Sequence, residues 1–137
     1  MDNYYENHHL PQPILPTLPP VELLKGQIAL VTGANSGIGR AIALSLGRAG
    51  ADVVINYVSS PEKAEGVAEE IRRGGRRAIT ARADVSNEAE VQAMFAQAVR
   101  ELGAVDILVS NAGLQKDAPF HEMTVAQWDT VMNVNLR

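Results

Sequence analysis

The chain has 137 residues, of which 46% are hydrophobic and 20% charged, a globular composition with room for one domain of ordinary size. A net charge of −4 gives a nucleic-acid partner no electrostatic support, and the lack of cysteine excludes disulfides and thiolate metal sites. No apolar run approaches the ~20 residues that span a bilayer, and the polar, acidic first ten residues hold no signal-peptide core, so a cytoplasmic protein without a membrane partner is expected.

Residues 1–26 stand apart. Pro11, Pro13, Pro16, Pro19 and Pro20 crowd one ten-residue stretch, and fixed φ angles with missing donors read as an extended, polyproline-like arm. His8 and His9 lie in its polar part and read as solvated, not as metal ligands, so no metal site is expected.

From residue 27 the punctuation is regular. Ile28–Thr32 reads as a buried strand, followed by glycines at 33, 37 and 39. A helix is expected over Gly37–Ala49, with Ile38, Ile42, Leu46 and Ala49 on one stripe and Gly50 ending it. Asp52–Tyr57 is the second strand. Ser59 or Ser60 is expected to cap a helix with Pro61 at its first position. That helix runs to about Arg73 with Ala64, Val67, Ala68 and Ile71 inward. The basic run from Arg72 to Arg77 falls at its end, where cations complement the helix dipole. Arg77–Ala81 is a short third strand.

Asp84-Val85-Ser86-Asn87 leads into a helix from about Glu88 to Leu102, with Val91, Met94, Phe95, Ala98, Val99 and Leu102 inward. Val105–Ser110 is the fourth strand, followed directly by Asn111-Ala112-Gly113 and a loop to Met123. Thr124 caps a last helix carrying Val125, Trp128, Val131, Met132 and Asn135 at helical spacing, with Trp128 expected in the core. The order β-α-β-α-β-α-β-α with nearly continuous apolar strands predicts an α/β fold: a doubly wound parallel sheet of Rossmann type in the order 3-2-1-4. Ligands bind such sheets in the crevice between the first and fourth strands, at their carboxyl ends.

The glycines point to what binds there. Gly33 permits a sharp exit from the strand, Gly37 lets backbone come close to a pyrophosphate, and Gly39 lets the helix pack tightly on the sheet. The helix start then aims free N–H groups and its positive dipole end at an anion.

Thr32-Gly33-Ala34-Asn35-Ser36-Gly37-Ile38-Gly39 resembles the TGxxxGIG motif of the short-chain dehydrogenase/reductase family. Asp84-Val85 resembles its adenine-contacting Asp, Asn111-Ala112-Gly113 its NAG turn, and Asn135 the Asn of its catalytic tetrad. The match runs over 27–137, making that stretch an incomplete NAD(P)-binding domain behind the arm. The wider run, with Ile55-Asn56-Tyr57 and Asn111-Ala112-Gly113-Leu114, resembles the bacterial glucose 1-dehydrogenase group.

The resemblance implies an NAD(P)(H)-dependent oxidoreductase moving a hydride between nicotinamide and an alcohol or carbonyl carbon, with a sugar such as glucose as one candidate substrate. It places Gly33, Asn35, Ser36, Gly37, Ile38, Gly39, Asn56, Tyr57, Ser59, Asp84, Val85, Asn111, Ala112 and Gly113 at the cofactor, and Asn135 in catalysis through a water linked to the family's lysine. Asp84 either contacts adenine or, like Ser86 or Asn87, caps the next helix. Asn111 both steadies a turn and lines the crevice. Asn135 is either that catalytic group or a polar break in an apolar helix face.

NAD-preferring folds carry an acid about 20 residues beyond the glycines. Here that point reads Asn56-Tyr57-Val58-Ser59-Ser60, with no acid, and Asp52 stands at the other end of the strand. Ser36, Arg40, Asn56, Tyr57 and Ser59 suit a 2′-phosphate, so NADP(H) or NAD(H) is expected, with NADP(H) slightly favoured. The family's Tyr-x-x-x-Lys pair is missing: the tyrosines are Tyr4, Tyr5 and Tyr57, none followed by lysine four residues later. The stretch therefore reads as the N-terminal, cofactor-holding part of a dehydrogenase, inactive by itself. The alternative is a non-catalytic dinucleotide-binding or interaction module. The resemblance also implies a homo-oligomer, commonly a tetramer, paired through the last helix here and the next.

Overall fold

The computed structural model describes residues 21–136, so the proline-rich arm through Pro20, with His8 and His9, lies outside the described residues. In chain order the elements are β1 (Ile28–Val31), α1 (Gly37–Arg48), β2 (Asp52–Tyr57), α2 (Pro61–Arg73), β3 (Ala78–Arg82), α3 (Glu88–Leu102), β4 (Ile107–Val109), a single 3₁₀ turn (Phe120–Glu122) and α4 (Val125–Asn135). The strands form one parallel sheet in the order β3-β2-β1-β4, as expected from the sequence.

Both faces of the sheet are covered, which is why β1 is apolar at every position and buried throughout. Successive side chains point to opposite faces. Val31, Val53 and Ile55 pack with Ala43 and Leu44 of α1 and Val67 and Ile71 of α2. Ile28, Leu30 and Val54 pack on the other side with Met94, Ala98 and Leu102 of α3.

Two carboxylates hold the amino end of the sheet. Asp106 Oδ2 accepts the Ile28 N–H at 2.8 Å. Asp52 accepts the Arg77 N–H at 2.8 Å and Arg77 Nε at 2.7 Å. Residues 21–26, read from sequence as the end of the arm, turn beneath α1, where the Leu24 N–H donates to the Ala49 carbonyl at 2.8 Å. Glu22 there hydrogen-bonds Lys25 and faces Arg76, and these cations hold its carboxyl below the usual glutamate range. None of the described helices is long and apolar enough to cross a membrane.

Several expectations shift. Ile38 and Val99 are exposed, and α1 buries Gly39, Ala43, Leu44 and Gly47 instead. Gly47 sits against Ile71, so the small residues of α1 make its close contact. Trp128 is 53% exposed, not core, because α4 buries none of its residues against the described chain. The serine cap of α2 does not form. Ser60 has a left-handed backbone (φ 61°), whereas a cap needs an extended one for its oxygen to reach the first-turn amides.

Leu30 lies at the centre of the sheet with no exposed surface. Leu30→Ala is expected to lower stability by about 2–5 kcal/mol in urea unfolding; an unchanged midpoint would contradict this packing.

Candidate functional site

The site grows from the exit of β1. Thr32 follows the strand and is buried, so its hydroxyl needs partners. Its Oγ1 accepts the N–H groups of Asn111 and Ala112, both at 2.9 Å, and donates to the Val109 carbonyl at 3.4 Å. Asn111 answers: its Nδ2 donates to the Thr32 carbonyl at 2.8 Å and the Gly33 carbonyl at 3.3 Å. The loops leaving β1 and β4 are thereby clamped together. A Cβ on Gly39 would overlap both the Gly33 carbonyl oxygen and Asn111 Nδ2, so only glycine lets α1 start this close.

Asn56 holds the other side of the same loop. Its Oδ1 accepts the Gly33 N–H at 3.1 Å, and its Nδ2 donates to the Ala81 and Ala83 carbonyls at 3.2 and 3.0 Å. It is only 1% exposed. This corrects its expected role: buried and bonded to three backbone groups, its side chain has nothing to offer a 2′-phosphate. Tyr57 is half-buried, packs against the core under α1 and α2, and does not line the cavity. Asn35 and Ser59 remain at the surface, tied by an Asn35 Nδ2 bond to the Ser59 carbonyl at 2.8 Å.

These loops surround a cavity of about 730 Å³ at the carboxyl ends of the strands. Its walls are the glycine loop with Ile38, then Val58-Ser59, Asp84-Val85, and the Asn111-Ala112-Gly113 turn. On the glycine side α1 begins without a side-chain cap: Ser36 has the extended backbone of a cap residue but makes no cap bond. The N–H groups of a first helical turn have no intrahelical acceptor. Gly37 (φ 54°) has nothing within 4 Å of where a Cβ would stand. Bare amides, an open wall and the positive end of the helix dipole suit an anion.

Asp84 also lines the cavity. Its Oδ1 accepts the Ser86 Oγ at 2.7 Å and the Ser86 N–H at 2.9 Å, and these bonds hold the carboxyl below the usual aspartate range. The neighbouring cap is Asn87, whose Oδ1 accepts the Ala89 and Glu90 N–H groups at 3.1 and 3.3 Å. Asp84 is thus released from capping, and no described residue bonds its Oδ2.

A model of the short-chain dehydrogenase family matches residues 27–137. The chain belongs to the short-chain dehydrogenase family. It is 45% identical over 114 residues to a hydroxynaphthalene reductase-like protein Arp2 of Metarhizium robertsii, covering 83% of this chain and 43% of that protein. Among solved structures, a dehydrogenase/reductase from Sinorhizobium meliloti 1021 aligns with a TM-score of 0.80 at 42% identity, over 84% of this chain and 46% of the other. A blue fluorescent protein from a metagenomic library, solved in complex with NADPH, also aligns at 0.80, with 39% identity over 84% of this chain and 47% of that one. The chain spans less than half the length of these relatives, none of which is named for glucose.

In this short-chain dehydrogenase, Asn135, expected in catalysis, is not among the residues that line the cavity. Asn135 Oδ1 accepts the Leu114 N–H at 3.0 Å and Nδ2 donates to the Leu114 carbonyl at 3.1 Å. This two-point bond commits the amide to fastening the loop after Gly113 onto α4, and its neighbour Val134 lines the cavity in its place. Thr32, Val58, Leu114 and Val134 carry site roles that no sequence expectation named. Only Thr32 had a signal, a hydroxyl closing an otherwise apolar strand.

Thr32→Val keeps the shape but leaves two N–H groups without an acceptor, and is expected to cost about 1–3 kcal/mol in chemical unfolding. Ser86→Ala is expected to raise the Asp84 pKa toward the ordinary aspartate value, read by NMR titration. The sign follows from a depressed folded pKa: its stabilisation is present above the unfolded pKa and is lost as pH falls through the folded one. Ser86→Ala therefore narrows that acid window, and an unmoved Asp84 titration would contradict the bond assignment.

Proposed function

We propose that residues 27–137 bind NADP(H) or NAD(H), with NADP(H) slightly favoured, and that the protein they belong to is a nicotinamide-dependent oxidoreductase acting on an alcohol or its carbonyl. The observation that carries this is the uncapped start of α1, facing a cavity whose floor is clamped by Thr32 and Asn111. The reductase names among the relatives and the NADPH complex of one structural neighbour support it.

When bound, the nicotinamide supplies or accepts the hydride. The first-turn amides of α1 would hold the pyrophosphate. Asp84 Oδ2, ionised at neutral pH, would accept from the adenine amino group, with Val58 and Val85 beside the base. Asn111, Ala112 and Gly113 would line the nicotinamide end, and Asn135 keeps the following loop in register with α4. The resemblance to the glucose 1-dehydrogenase group favours a sugar substrate, whereas the relatives' name favours an aromatic carbonyl. The exposed Phe120, Val125 and Trp128 support assembly of the whole protein through α4, as in a homo-tetramer. None of the three tyrosines has a lysine four residues on, so the 137 residues alone are expected to turn over no alcohol.

Fluorescence titration of the chain should show both reduced cofactors binding, NADPH at least as tightly as NADH. Binding of NADPH far weaker than NADH would overturn the cofactor preference. Gly37→Val puts a side chain at the open cavity wall and a β-branched residue at φ 54°, so it is expected to abolish binding of both and to cost about 1–3 kcal/mol in urea unfolding without loss of the folded baseline; retained binding would refute the pyrophosphate assignment.

A further inference from the structure

The described sheet ends on β3, which has a neighbouring strand on one side only. In a parallel ladder alternate residues face the neighbour. The Val53 N–H donates to the Arg77 carbonyl and the Ala83 N–H to the Tyr57 carbonyl, both at 3.0 Å. With the register of β3 on β2, Arg77, Ile79, Ala81 and Ala83 therefore turn to β2, and Ala78, Thr80 and Arg82 turn outward. A row of outward N–H and C=O groups is a template for pairing with another chain. The strand Ala78-Ile79-Thr80-Ala81-Arg82 has no proline or glycine to break such pairing, and its β-branched Ile79 and Thr80 favour it.

Two side chains reach this edge, one from each face of the sheet. Arg72, in the last turn of α2, donates from Nε to the outward Ala78 carbonyl at 2.9 Å. Gln97 of α3 donates from Nε2 to the outward Thr80 carbonyl at 3.3 Å. α2 packs with Val53 and Ile55, and α3 with Val54 on the other face, so the two groups close round β3 from opposite sides. Arg72 is anchored by an ion pair with Glu65, two turns back on the same side of α2. A cation in the last turn of a helix ordinarily serves that helix's own carbonyls; Arg72 Nε turns to the strand instead. The third outward residue, Arg82, puts an exposed charge at the end of the edge, a further obstacle to pairing.

We infer that Arg72 and Gln97 close the β3 edge against a second copy of this chain. The inference is independent of the cofactor reading. The pairing they exclude is β3 on β3, antiparallel across a two-fold axis at Thr80, where one strand supplies both sides of a self-complementary contact. In that register Thr80 faces Thr80 and Ala78 faces Arg82, and each such pair exchanges two backbone bonds. The bonds need the outward carbonyls of Ala78 and Thr80, and these are the two that Arg72 and Gln97 already supply with donors. A second copy must therefore displace two side-chain bonds, and free Arg72 from Glu65, before it gains its own.

The test compares the isotope-labelled chain with Arg72→Met/Gln97→Met, which keeps both stems and removes both donors, by sedimentation equilibrium and NMR hydrogen exchange. In the parent, exchange of the Thr80 amide is expected not to change with concentration. The double variant is expected to self-associate about 5- to 50-fold more tightly, and its Thr80 amide to become protected as concentration rises. Thr80→Pro removes an N–H that β2 does not use, and added to the double variant it is expected to return association to the parent level. Where the double variant does not hold its fold, the single variants carry the test, each expected to tighten association by about 2- to 7-fold. Folded variants that associate no more tightly than the parent overturn the inference. So does protection that rises in β4 and not at Thr80.

Discussion

The exchange of hydrogen bonds between Thr32 and Asn111 is the constraint on which the site depends. β1 and β4 are neighbours in the sheet but 77 or more residues apart in sequence, and their loops diverge at the switch point. Thr32 Oγ1 takes two amides from the β4 side and Asn111 Nδ2 takes two carbonyls from the β1 side, so neither loop can move without leaving buried polar groups unpaired. Gly39 is the steric counterpart of the same clamp: a methyl group there would drive α1 off Asn111 and Gly33. Asn56 closes the third side by fixing the Gly33 amide to the ends of β3.

That rigidity explains how the helix starts divide their work. Asn87 satisfies two first-turn amides of α3, and Thr124 with Gln127 forms a reciprocal cap on α4. These helices complete their own starts. α1 does not, and it begins on a wall of the cavity. Amides left open beside a clamped loop are preorganised: an anion meets donors already in place, so little ordering cost accompanies binding.

Periodicity made most of the fold legible. The apolar strands, the Gly stops and Pro61 placed β2, α2 and α3 within a residue, and the continuous apolar character of β1 foretold a sheet covered on both faces. What periodicity misjudged was orientation. Ile38 belongs to an apolar stripe in sequence, yet α1 turns its glycines and alanine inward, because close approach to Gly33 and Ile71 needs small residues there. Trp128 was assigned to a core that the described chain does not build around α4. The site divides in the same way. The glycine loop, Asp84 and the Asn111 turn, each a local signature beside an element boundary, come together around one cavity. Asn56 and Asn135 were named from the sequence, but their backbone partners were not. Both spend their amides on backbone groups at least 21 residues away, and such partners appear only when the chain is folded.

Net charge is equally blind to this site. A chain of −4 would seem a poor host for a polyanionic cofactor. The charges at the amino end of the sheet are largely matched among themselves, Asp52 with Arg77 and Glu22 with Arg76 and Lys25. At physiological salt, exposed charges farther apart than about 8 Å are largely screened from one another. The local field at the glycine loop is therefore set by the open first-turn amides of α1 and not by distant side chains. A mild acidity overall and a positive helix start at the glycine loop are compatible because they act over different distances.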